Sequence, residues 1–208
     1  GNALSSRTAS SLANKLTVEN LDSGTSYYFR VGSLNWNSAA NFSLAGSSST
    51  ITSPKAWTGA TDSLWNLADN WSPTGIPGRN DAVTIALAQD VDASGAAITF
   101  SSLTIGSPSG EAASLTLSTG MLNSGSVLIY QNAGLTIATL DAIVIAGDLT
   151  MVSGSSLSHS NNGASDTHGF EADLQVNGAF NLQGGATMTA VGRGFARGNV
   201  NQAGWGPG

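Results

Sequence analysis

Two histidines and an aspartate, His159, Asp166 and His168, stand within ten residues of one another in a polar stretch of the chain. Imidazole nitrogens and a carboxylate are donors that a divalent metal takes. Their spacing matches no zinc or calcium motif, so the plainer expectation is a solvated loop. Asp90 and Asp92, with Asn80 and Asp81 just upstream, offer oxygen ligands of the kind calcium prefers. No EF-hand loop and no Gly-Gly-x-Gly-x-Asp repeat accompanies them, and turn carboxylates are the competing reading. The expectation is therefore no cofactor, with calcium the ion these donors would suit.

Trp57, Trp65 and Trp71 form the other chemical cluster, three of the five tryptophans within fifteen residues. Indole faces stack on sugar rings, which makes the three candidates for ligand binding. They equally suit a packed junction, because an indole supplies a large apolar area and one N–H to satisfy.

Bulk composition narrows the classes. Charged residues are 10% of the 208, the net charge is −6, and 40% are hydrophobic. Disorder goes with low hydrophobicity and high net charge, so ordered structure rich in turns and β-branched residues is expected. No Lys or Arg lies between Asp81 and Gly192, and nucleic-acid binding needs clustered cations. The same scarcity argues against an anionic membrane surface. The longest apolar runs are too short to span a bilayer. Without cysteine there are no disulfides, no thiolate metal sites and no thiol nucleophile.

The elements that must position these groups are legible as a repeat. Ile143-x-Ile145-x-Gly147-x-Leu149-x-Met151-x-x-Gly154-x-x-Leu157 recurs as Leu174-x-Val176-x-Gly178-x-Phe180-x-Leu182-x-x-Gly185-x-x-Met188, an offset of 31 residues. Looser versions occur earlier: Ile98/Phe100, Leu103/Ile105, Leu115/Leu117, Leu135/Ile137, and either Val127/Ile129 or Leu128/Tyr130. Alternation with period two places side chains inward on short strands. Glycine at fixed intervals permits the turns between them. One such coil cannot bury its apolar face alone, so coils stack. The fold expected is all-β, a right-handed parallel β-helix over residues 82–208. Ser158 to Glu171 lacks alternation and reads as a loop on one corner of a coil.

Upstream, Gly24-Thr25-x-Tyr27-x-Phe29-x-Val31, after Leu16 and Val18 and the turn Asp22-Ser23-Gly24, resembles the E–F corner and F strand of a fibronectin type III domain. The resemblance covers about 40 residues and implies that Tyr27 is the tyrosine-corner residue, that Asn35 ends the strand, and that Ser48 to Thr52 is strand G. Residues 1–54 would be the back half of that sandwich. Over 55–81, Trp57-Thr-Gly59, Leu64-Trp65, Asn70-Trp71 and Pro77-Gly78…Asp81 resemble the motif that introduces the helix of large bacterial surface β-helix proteins, including autotransporter-like passengers. It implies a cap on the first coil. The glycine-rich stretch after Gly192 is similar to tracts that follow the coils in those proteins. Both ends read as cuts in a longer chain. Asn41-Phe-Ser43 and Asn70-Trp-Ser72 are formal glycosylation sequons, which a bacterial origin would leave silent.

Polysaccharide-cleaving enzymes of the pectate-lyase type share this fold. A lyase needs a basic residue and cations on the helix body, and there are none before Arg193. A hydrolase needs paired carboxylates, for which Asp141, Asp148, Glu171 and Asp173 are available, Asp141 and Asp173 at nearly equivalent positions. The leading expectation is a structural or adhesive module of a secreted or cell-surface protein, extracellular, without catalysis, partnered by neighbouring copies or domains and by surface polysaccharide, as in an extracellular filament. The alternatives are a carbohydrate-binding or polysaccharide-degrading module and a trimeric receptor-binding fibre.

Overall fold

A computed structural model describes residues 21, 26–34, 37, 40–49, 54–94, 98–118, 125–162 and 169–194. The chain divides into two compact units, Gly1–Ile51 and Thr52–Gly208.

In the first unit the described part is an antiparallel hairpin of β1 (Ser26–Leu34) and β2 (Ala40–Ser49). Tyr27 pairs with Ser48, and the register shifts between Tyr28 and Arg30. The second strand therefore begins at Ala40, upstream of the Ser48 start expected from the sequence. Leu16, Val18 and the Asp22–Gly24 turn lie outside the described residues, and a sandwich is not shown.

The second unit is a parallel β-helix. It opens with β3 (Lys55–Trp57), a single 3-10 turn at Ala68–Asn70, and β4 (Trp71–Ser72), which returns antiparallel to β3. The coils follow: β5 (Ala82–Ile85), β6 (Asp90–Ala93), β7 (Ser102–Ile105), β8 (Ser114–Leu117), β9 (Ser126–Ile129), β10 (Gly134–Ile137), β11 (Ile143–Ile145), β12 (Leu149–Met151), β13 (Ser156–His159), β14 (Leu174–Val176), β15 (Phe180–Leu182) and β16 (Thr187–Thr189). No α-helix occurs among the described residues. One sheet runs β4-β3-β5-β7-β9-β12-β15, a second runs β6-β8-β10-β13-β16, and β11 pairs with β14 on a third face.

The coil length is shorter than the sequence offset implied. Val83 pairs with Leu103, Leu103 with Val127, Val127 with Leu149 and Leu149 with Phe180, so successive coils advance 20, 24, 22 and 31 residues. The offset of 31 is one ordinary coil plus an excursion after β13. Its register is nonetheless the one that the sequence shows. Ile143 faces Leu174, Met151 faces Leu182, and Leu157 faces Met188. Gly154 and Gly185, at φ of +82° and +94°, make the same left-handed turn in neighbouring coils. Side chains with a Cβ rarely adopt that backbone, so the glycine recurs.

Burial follows the pleat. Val83, Leu103, Val127 and Leu149 form one inward column, and Val91, Leu115, Leu135 and Leu157 another, all essentially buried. The ambiguity around residue 128 resolves in favour of Val127 and Ile129, which are buried; a one-residue slip would have sent both to solvent. Cap and helix are continuous, because β3 already lies in register on β5.

Candidate functional site

The cap is built on the three indoles. Trp57 and Trp71 meet edge to face at 5.0 Å, Trp65 and Trp71 at 4.7 Å, and Trp65 lies against Phe100 of the first coil. Trp71 Nε1 donates to the Trp65 carbonyl at 2.8 Å, and Trp57 Nε1 donates to Gln89 Oε1 at 2.8 Å. All three are buried in the helix core, and no ring presents a face to solvent. Their polar atoms are used inside the cap, as the physical chemistry of buried indoles requires.

Asn70, next to Trp71, holds this cap together, and sequence reasoning gave it no such role. It is fully buried. Its Oδ1 accepts the N–H groups of Thr61 and Asp62, while its Nδ2 donates to Asp62 Oδ1 and to the Leu64 carbonyl. A side-chain amide supplies two acceptor sites and two N–H donors at one point, and this one uses all four. Beside it a cleft of about 210 Å³ is lined by Gly59, Asp62, Ser63, Gln89 and Asp90. Asp62 and Gln89 are already engaged within the cap by the bonds just described.

Asp90 and Asp92 point outward from β6, two residues apart. Each meets a hydroxyl of the following coil: Ser114 donates to Asp90, and Ser118 to Asp92 at 3.5 Å. Asp81 does not join them. It is buried, and its Oδ2 accepts the Gly78 N–H at 2.8 Å, closing the turn into β5. Its Oδ1 has no hydrogen-bond partner among the described residues.

His159 is not in the loop. It closes β13 in register with Ile137, so it takes an inward-column position that Ile137 and Leu117 fill in the preceding coils. Its Nδ1 lies 2.8 Å from the Ser160 carbonyl. Asp166 and His168 lie outside the described residues. The neck of the excursion is pinned by Asn162, whose Oδ1 accepts the N–H groups of Gly169 and Phe170 and whose Nδ2 donates to the Phe170 carbonyl. Among the described residues no group of three or more His, Asp or Glu side chains is placed to share a metal ion.

The carboxylates considered for hydrolysis are placed differently from one another. Asp148 Oδ1 accepts the Ala179 N–H of the next coil at 2.8 Å, so it fastens one turn to its neighbour. Asp173 is level with Ala142 rather than Asp141, since Ile143 pairs with Leu174; the two aspartates sit one step out of register on adjacent coils. Glu111 is a turn residue whose carboxyl is held below its ordinary pKa by the Ser107 hydroxyl and then by its own backbone N–H, against a smaller opposing effect of burial.

The outward face of the second sheet carries a pattern that sequence reading passed over. Asp92, Thr116, Thr136, Ser158 and Thr189 stack in one column, and Asp90, Ser114, Gly134, Ser156 and Thr187 in the other. Strands lie about 4.8 Å apart and alternate residues about 6.7 Å apart along each, so beyond β6 the face is a lattice of small hydroxyls without charge, interrupted at Gly134. The signal was present in Ser114-Leu-Thr-Leu117, Gly134-Leu-Thr-Ile137 and Ser156-Leu-Ser158, whose middle residue is the buried one.

Comparison with protein-family models, with curated proteins and with solved structures gave no match for this chain.

Proposed function

We propose that this chain is a structural or adhesive module of a secreted or cell-surface protein, and that its β-helix serves as a scaffold rather than an enzyme. The observation that carries the reading is the use made of polar side chains: they fasten coil to coil. Asp148 reaches Ala179, Asn132 Nδ2 reaches the Gly110 carbonyl at 3.0 Å, and the Ser126 hydroxyl accepts the Asp148 N–H at 3.1 Å. Such bonds stiffen a quasi-one-dimensional stack whose coils touch only their neighbours. The resemblances to fibronectin type III segments and to autotransporter-like passengers support an extracellular, bacterial setting. Incubating the purified chain with neutral and uronate-containing polysaccharides, and following new reducing ends and unsaturated products, tests the scaffold reading. No product is expected; turnover of any one of them would overturn it. Fractionating source cells with an antibody to the chain tests the setting, with signal expected at the surface or in the medium.

A second reading, carbohydrate binding without cleavage, is favoured by the hydroxyl lattice of the second sheet, which a flat, uncharged polysaccharide surface would match. Co-sedimentation with insoluble polysaccharides decides it. Binding that Thr136→Lys abolishes supports this reading, and failure to co-sediment with any of them removes it.

A further inference from the structure

We draw no further inference here: the strongest candidate, the lattice of small hydroxyls around Thr116, Thr136 and Ser158 on the outward face of the second sheet, belongs to the carbohydrate-binding reading already given, and no second observation among the described residues identifies another ligand for it.

Discussion

Phe180 lies in register on Leu149 of the neighbouring coil, yet Leu149 is fully buried and Phe180 is 47% exposed. The two residues occupy the same position of the repeat, and the coil carrying Phe180 is laid over Leu149. Truncating a buried leucine costs about 2–5 kcal/mol, including the cavity it leaves. Leu149→Ala should therefore lower the midpoint of urea unfolding strongly. Phe180→Ala, measured at low protein concentration, should lower it by well under half as much. Equal losses would contradict the difference in burial between the two positions.

Asn70 offers a sharper substitution. Asn70→Asp keeps the shape and removes both donated hydrogen bonds. It leaves the Leu64 carbonyl with only the longer bond from the Leu67 N–H, at 3.4 Å, and sets a carboxylate against Asp62. A buried group left unpaired costs roughly 1–3 kcal/mol, more when charged. The variant should be destabilised by at least about 2 kcal/mol at neutral pH, with part of the loss recovered in acid as the carboxyl protonates. Thermal unfolding at two pH values checks this, and a variant as stable as the parent would refute the role given to Asn70.

Asp148 should act on the last coil in particular. Asp148→Ala removes the acceptor of the Ala179 N–H, while Asp148→Asn retains a carbonyl oxygen there. The alanine variant should speed hydrogen exchange at Ala179 and Phe180 and leave Val127 to Ile129 protected, and asparagine should largely restore protection. An unchanged exchange rate at Ala179 in the alanine variant would count against the bond.

Glu111 gives a pH dependence with a definite sign. Its folded-state pKa is lowered, chiefly by the Ser107 hydroxyl. A carboxyl lowered in the folded state contributes stability that is present above its unfolded pKa and is lost as the pH falls through the folded value. Ser107→Ala should move the Glu111 titration back up toward the ordinary carboxylate range, as followed by NMR of its side-chain carboxyl carbon. A titration that does not move would show that the hydroxyl is not the cause.

The helix body was legible because alternation and glycine spacing are local. Ile143 to Leu157 and Leu174 to Met188 show the same inward set, and the structure pairs them in that register. The coil length was not legible from that pair alone, since an offset in sequence does not separate a coil from the excursion it carries. His159 was misplaced for a related reason: a polar residue at an inward position breaks the apolar alternation that marks a strand. The hydroxyl columns went unread because periodicity directs attention to the buried residue of each Ser-Leu-Thr triplet.

What the sequence determined by itself is the β-class, the inward set of each coil and the presence of a tryptophan-rich junction, all of which follow from residue type and short-range spacing. Tertiary structure decided which residues are neighbours across coils: that Asp148 meets Ala179, that Asn70 joins Thr61 to Leu64, and that Thr116 stacks on Thr136. Those contacts depend on the length of every intervening turn. Leu149 is buried for the same reason, because burial in a stack is conferred by the coil laid over a residue and not by the residue itself.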